Sequence, residues 1–207
     1  MAAATVTATL PGPQAVLDFW FGAGQAVDNR WFKGGPDFDA LIASLHGDTL
    51  AAALAGQLAH WPAQGAAGTL ALIVVLDQFT RNVHRGTPQA FAGDEQALAL
   101  TQALVAGGED RAMPPLQRWF AYMPLEHAED PAVQAQSVGC FEQLVSDAQG
   151  SPQHAALVGA LTGALDYARQ HQAVVDRFGR FPHRNAILGR ETTPEEVAFL
   201  QQPGSRF

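Results

Sequence analysis

The 207-residue sequence is poor in cysteine and in long hydrophobic runs, and each shortage excludes a class of protein. Its one cysteine, Cys140, excludes an intramolecular disulfide and is typical of a reducing compartment. The longest apolar run, residues 70–76, is far too short to cross a bilayer. The first twelve residues lack the basic region and apolar block of a signal peptide. We therefore expect a soluble, cytoplasmic protein with no membrane partner.

Positive charge is also scarce. Lys33 is the only lysine, beside eleven arginines, and the net charge is −8. Such a molecule is a poor polyanion binder, so we expect no nucleic-acid partner. Apolar residues make up 47% of the chain and charged residues 15%, a composition typical of a folded protein. The length fits a single domain, residues 1–207, in which residues 1–12 form a flexible N-terminal arm.

Helix start signals are frequent. Proline follows a short polar residue at Thr87, Asp130, Ser151 and Thr193, a pattern typical of an N-cap with proline at the first helical position. Thr193 with Glu196 three residues later also predicts a capping box. Together with the apolar spacing, these signals predict helices at about 13–22, 36–46, 48–60, 66–82, 88–106, 115–127, 131–149, 152–178 and 194–202. Residues 69–79 also have strand character, but no second strand candidate exists to pair with them. The prediction is an all-α fold of about nine helices.

An arginine-rich stretch, residues 177–185, follows the longest predicted helix. Gly179 and Pro182 force this stretch out of helical conformation. Arg180 and Arg184 supply planar hydrogen-bond donors beside aromatic rings, and His183 supplies a titratable imidazole ring. The combination indicates a shaped site for a small anion, because a simple ion pair needs no such loop.

The apolar central helix becomes polar at one end. Asp77, Arg81 and Arg85 are spaced i, i+4 and i+8, so we expect them on one face of the helix, beside Asn82. One interpretation is a cleft in which Asp77 orients Arg81 and the guanidiniums bind a carboxylate or phosphate. The alternative is an internal Asp–Arg pair that only fixes geometry.

A third polar cluster contains Glu126 and His127. His127 could act as a general acid or base and Glu126 as a partner for an arginine. Alternatively, His127 only interacts with a helix C-terminus. The histidine and cysteine spacings match no metal motif, so no metal and no cofactor are expected, and Cys140 is interpreted as an inert core thiol.

The candidate residues come from three segments that are remote in sequence. The catalytic candidates are His183, His127 and Glu126. The ligand-binding candidates are Asp77, Arg81, Asn82, Arg85, His171, Arg180, Arg184 and Asn185. If the segments meet, four or five guanidiniums face two or three carboxylates and up to three imidazoles, with perturbed pKa values.

Several longer motifs resemble a known family. They are Leu76-Asp77-Gln78-Phe79-Thr80-Arg81-Asn82, Pro124-Leu125-Glu126-His127-Ala128-Glu129, residues 177–190 and Thr193-Pro194-Glu195-Glu196. Together with Asp18-Phe19-Trp20-Phe21-Gly22 and Trp31-Phe32, they are similar to the bacterial family named domain of unknown function 924. The resemblance implies antiparallel helix pairs in a TPR-like right-handed stack, and it implies no reaction. Thr80, His84 and Ala128 depart from the family pattern.

Two functional hypotheses follow. In the first, the polar clusters form a site that binds a small anionic metabolite or acts on it. In the second, a TPR-like stack presents a surface to a protein or peptide, and the clusters are a structural ion-pair network. A homo-oligomer is compatible with either hypothesis.

Overall fold

The computed structural model describes residues 10–22 and 26–205. These ranges are helical and contain no β-strand, which confirms the predicted all-α class. The first nine residues of the predicted N-terminal arm lie outside the described part of the chain. Within the described ranges, no helix combines the length and the apolar character needed to span a membrane.

The helices follow one another through short connections. The α-helices are α1 Pro13–Phe21, α2 Arg30–Lys33, α3 Gly35–Leu54, α4 Ala66–Ile73, α5 Thr80–Val83, α6 Asp94–Gly107, α7 Pro115–Glu126, α8 Pro131–Gln149, α9 Val158–Phe178, α10 Asn185–Leu188 and α11 Pro194–Leu200. The 3-10 turns are Trp61–Gln64, Pro88–Phe91, Glu109–Ala112, Pro152–Leu157 and Pro182–Arg184. A π-helical turn, Val74–Phe79, joins α4 to α5 without a break.

The helix formed by α4, the π turn and α5 lies at the centre of the molecule. Every residue from Gly68 to Thr80 is buried, and α1, α3, α6 and α7 pack around it. A helix that is apolar on all sides is stable in water only when it is enclosed in this way. The choice of helix over strand for this segment is therefore confirmed.

Aromatic side chains join the N-terminal helices to α7. Trp31 donates a hydrogen bond from Nε1 to the Trp20 carbonyl oxygen over 2.8 Å. The ring of Trp31 meets Phe120 edge to face, with centroids 4.7 Å apart. Such contacts add to the burial of large apolar surfaces, so α1 and α2 are fixed on the same core as α7.

Helices α7, α8 and α9 form two consecutive antiparallel pairs. Arg118 near the start of α7 binds Asp147 near the end of α8 over 2.7 Å. Glu142 of α8 accepts a hydrogen bond from Arg169 of α9 over 2.9 Å. These pairings place the C-terminal end of α7 close to the C-terminal half of α9.

Several predicted helix boundaries are wrong. The separate helices at 36–46 and 48–60 are one helix, α3, followed by turns from residue 55. Gly47, the residue between the two predicted helices, lies inside α3, and the conformational cost of such a glycine is only about 1 kcal/mol. The helices predicted at 88–106 and 152–178 begin as 3-10 turns and become α-helical only at α6 and α9.

Helix ends were easier to predict where side chains close them. Asp130 accepts hydrogen bonds from the backbone N–H groups of residues 132 and 133, and Thr193 with Glu196 forms the predicted capping box. Thr87 and Ser151 make no side-chain cap, and the prolines that follow them begin the 3-10 turns. As predicted, α9 ends at Gly179, which has φ +68°.

Candidate functional site

The π-helical turn places a carboxylate in the core at the centre of the site. Asp77 is fully buried, and its Oδ1 lies 2.9 Å from Nη1 of Arg81 and 2.7 Å from Nδ1 of His127. Gln78 donates to Oδ2 over 2.6 Å. Burial by itself raises the pKa of Asp77, but the charge of Arg81 and then the interactions with His127 and Gln78 outweigh it. The carboxyl is therefore ionised at neutral pH.

His127 is the first residue after α7, and it is oriented by Asp77. Its side chain is 12% exposed. Burial and the charge of Arg81 lower the pKa of His127, while Asp77 acts in the opposite direction. The ring is therefore neutral at pH 7, with its Nδ1–H directed at the carboxylate. This tautomer leaves Nε2 as the nitrogen that can accept a proton.

Arg81 connects this pair to a second carboxylate. Its Nη1 donates to Oδ1 of Asp94 over 2.7 Å and its Nη2 to Oδ2 over 3.1 Å, a bidentate pair. Asp94 is the first residue of α6, and its approach depends on Gly93. A Cβ atom at Gly93 would overlap the carbonyl oxygen of Leu76 in the π turn. The glycine thus allows α6 to begin directly against the central helix.

Arg184 reaches the same cluster from the 3-10 turn before α10. Its Nη1 lies 3.5 Å from Oδ2 of Asp94, at the limit of a hydrogen bond. The guanidinium lies over the rings of Phe91 and Phe181, 4.8 and 4.6 Å from their centroids. The side chain is 8% exposed, and within the described chain its Nε has no hydrogen-bond partner. Burial, followed by the charge of Arg81, lowers the pKa of Arg184 to about 10.

His183 precedes Arg184 in the same turn. Its ring is half-buried and lies 5.7 Å from the ring of Phe181. Burial, followed by the charge of Arg184, lowers the pKa of His183 to about 4. The residue is therefore a neutral imidazole at pH 7 and adds no positive charge to the site.

Glu126 and His171 form a neutral pair beside the charged cluster. Nδ1 of His171 lies 3.2 Å from Oε1 of Glu126 and 2.9 Å from the carbonyl oxygen of Tyr167. Burial, followed by the charge of Asp77, raises the pKa of Glu126 to about 8, and burial lowers the pKa of His171 to about 3. Glu126 is thus protonated at pH 7. The prediction that it is a partner for an arginine is wrong.

With this geometry in place, comparisons with known proteins identify the family. A family model described as "Bacterial protein of unknown function (DUF924)" matches residues 16–204. The chain belongs to the DUF924 family. It is also similar to a solved structure, "Structure of Protein of Unknown Function ATU0120 from Agrobacterium tumefaciens", at 36% sequence identity and a TM-score of 0.77, over 91% of this chain and 96% of that chain. None of the curated proteins matches it.

Two predicted site residues of this DUF924 member lie outside the cluster. Nδ2 of Asn82 and the guanidinium of Arg85 both bind Asp39 of α3, over 2.7 Å in each case. The predicted shared face fails because α5 ends at Val83, so the spacing from Asp77 to Arg85 is not that of one regular α-helix. Arg85 is 62% exposed and stabilises the packing of α3 on the central helix.

Arg180 and Asn185 of the DUF924 chain belong to a separate contact. Nε of Arg180 donates to Glu196 over 2.6 Å, and Nδ2 of Asn185 donates to the same carboxylate over 3.2 Å. Glu196 also accepts from the backbone of Thr193 over 2.8 Å. These bonds fasten α11 to the loop after α9, so the two residues have a structural role.

Two carboxylates and one ring of this cluster were not among the residues predicted from the sequence. Asp94 and Phe91 carry no local signal, because only the crossing of α6 and the π turn brings them to Arg81. Glu129 accepts from Nη2 of Arg190 over 2.9 Å and from the backbone N–H of Phe181 over 2.7 Å. Glu129 is the last residue of the motif that begins at Pro124, so that motif could have identified it as a candidate site residue.

The assembled cluster is balanced in formal charge. Its guanidiniums belong to Arg81, Arg184 and Arg190, and its carboxylates to Asp77, Asp94 and Glu129. The predicted excess of guanidiniums is therefore absent from these contacts. What distinguishes Arg184 from the other two arginines is the length of its one carboxylate contact.

Proposed function

We propose that this DUF924 protein binds a small anionic molecule at Arg184, beside the Asp77–His127 pair. The observation that supports this proposal is the incomplete pairing of a buried cation, Arg184. Arg184 is 7% exposed, its contact with Asp94 is 3.5 Å long, and Asp94 already makes two shorter bonds to Arg81. A buried charge is expensive unless it is paired, and such a cost is often retained where a ligand supplies the partner.

The ligand class follows from the shape of the guanidinium and its surroundings. Two aromatic faces hold the plane of Arg184, a geometry suited to the planar fork of a carboxylate or to two phosphate oxygens. The neutral ring of His183 adds no charge beside the guanidinium. Because the cluster is otherwise balanced, a ligand with one or two negative charges suits it better than a polyanion.

His127 provides a general base at this site. Asp77 holds the Nδ1–H, so Nε2 can take a proton from a bound molecule, and the ionised Asp77 then stabilises the imidazolium. The depression of the pKa of His127 by burial and Arg81 keeps Nε2 unprotonated at neutral pH. The proposal therefore includes general-base chemistry, with His127 as the base and Asp77 as a positioning residue.

The test is a thermal-shift screen of the purified protein against carboxylate and phosphorylated metabolites. A ligand at a hundredfold its dissociation constant adds about 2.7 kcal/mol, which raises the unfolding midpoint of a chain of this size by about 5 to 10 °C. Arg184→Met should lose this response. Arg85→Met is the matched control, because Arg85 is exposed and lies outside the cluster; it should keep the response.

A flat panel, or a shift that Arg184→Met retains, would overturn the proposal. The flat result would favour the second hypothesis, a TPR-like interaction module in which the polar cluster is a structural network. A pull-down with the intact chain would then be the next experiment. The TPR-like handedness of the stack, the cytoplasmic location and a homo-oligomeric state stay predictions.

A further inference from the structure

A cavity separate from the Arg184 site lies between α2, α7 and α9. It has a volume of about 460 Å³, within the range of small-molecule sites. Its walls include the rings of Phe32 and Trp119 and the small residues Ala160, Gly163 and Ala164 of α9, and Glu126 also lines it. We refer to this space as the Glu126 cavity.

The walls of the Glu126 cavity suit a flat apolar group. Phe32 and Trp119 are stacked, with ring centroids 5.4 Å apart and an interplanar angle of 26°. On the side of α9, a Cβ atom added at Gly163 would have no heavy atom within 4 Å. The space beside Gly163 is therefore open, and a ring there would contact aromatic side chains on one side and α9 on the other.

Glu126 supplies the polar group of this cavity. The residue is 5% exposed, and its carboxyl has one polar side-chain contact in the described part of the chain, 3.2 Å to Nδ1 of His171. That nitrogen is closer to the carbonyl oxygen of Tyr167, at 2.9 Å. No ion pair joins Glu126 to an arginine or lysine of the described ranges. The carboxyl thus lies beside an apolar space without a counter-charge.

We propose that the Glu126 cavity binds a molecule with a ring-sized apolar body and a primary amine, whose ammonium group pairs with Glu126. The ammonium supplies the positive charge that the surroundings lack, and it donates three hydrogen bonds to oxygen atoms. The charge of Asp77 favours a cation beside Glu126, and Lys33 also lines the cavity. Lys33 is exposed to water, so its charge is strongly screened.

Binding changes the protonation state of the carboxyl. The protein binds the ammonium form of the amine, and the O–H proton of Glu126 leaves to solvent, so the ammonium and the new carboxylate form the ion pair. Since the pKa of unliganded Glu126 is about 8, the group carries a proton at pH 7 and has one to release. The released proton gives the proposal a specific signature.

Calorimetric titration with phenethylamine at pH 7, in two buffers of different ionisation enthalpy, tests the proposal. We expect saturable binding with a dissociation constant of about 1 mM for a fragment of this size, and release of close to one proton per molecule bound. Benzyl alcohol, which has the ring but no charge, should bind without releasing a proton. Absence of saturation by about 10 mM phenethylamine, or binding without proton release, would overturn the proposal.

Three variants of the intact chain sharpen the test. Glu126→Gln keeps the shape of the side chain and should weaken phenethylamine binding at least tenfold while leaving benzyl alcohol binding unchanged. Gly163→Leu should abolish binding of both probes because the added side chain occupies the cavity. Gly159→Leu is its control, since Gly159 lies one turn earlier in α9, has open space at its Cβ and does not line the cavity. Equal phenethylamine binding by Glu126→Gln and the wild type would refute the role of the carboxyl.

Discussion

Replacing Arg184 with methionine should make the protein more stable. A pKa lowered from the ordinary 12.5 to about 10 corresponds to about 3 kcal/mol against the charged form in the folded state. Both values lie above pH 7, so the whole penalty is present at neutral pH. Loss of the two contacts over Phe91 and Phe181 offsets about 1 to 2 kcal/mol of it. The expected net gain is about 1 to 2 kcal/mol, since methionine keeps an apolar body between the rings.

Urea unfolding at pH 7, followed by circular dichroism, measures this difference directly. Arg81→Met is the informative counterpart, because it removes the cation nearest to the fully buried Asp77. Breaking such a pair costs about 3 to 5 kcal/mol. If Arg184→Met is destabilised by more than about 1 kcal/mol, Arg184 is a structural cation like Arg81. Its incomplete pairing would then not indicate a ligand site.

Two further variants probe other buried groups. Glu126→Gln should gain stability relative to the wild type by up to about 1.4 kcal/mol per pH unit as the pH rises from 5 to 8. The reason is that folded wild-type protein holds a proton on Glu126 in this range, whereas the unfolded chain, with the ordinary pKa of 4.5, has released it. Urea midpoints of the two proteins that differ by a constant amount over this range would contradict the raised pKa. Tyr122→Phe should lower the free energy of unfolding by about 2 kcal/mol. Tyr122 donates its hydroxyl hydrogen to the buried Asp110, whose other oxygen has no partner in the described part of the chain. An unchanged urea midpoint would show that this hydrogen bond contributes nothing to stability.

Local sequence patterns predicted the parts of the fold that local interactions decide. The capping box at Thr193, the Asp130 cap and the stop at Gly179 each depend on residues within one helical turn. The division of α3 into two helices was wrong because packing of the apolar residues on both sides of Gly47 extends the helix through this glycine.

The site shows the same division between local and long-range information. Asp77 and Arg81 could be paired from their spacing, since one helical turn separates them. Asp94 could not be added, because its contact with Arg81 exists only where Gly93 brings α6 against the central helix. Glu126 was expected to pair with an arginine, but burial raises its pKa and it contacts His171 instead. How deeply a carboxyl is buried cannot be read from the sequence.

The π-helical turn sets the direction in which the polar end of the central helix points. Such a turn contains one residue more than an α-helical turn. If Val74–Phe79 were a regular α-helix of the same length, everything after it would be rotated by about 100° relative to α4, the angle between neighbouring residues of an α-helix. Arg81 would then point away from Asp94, although every polar side chain would still be present. A change that straightens this turn would therefore take the cluster apart without removing any of its charged groups.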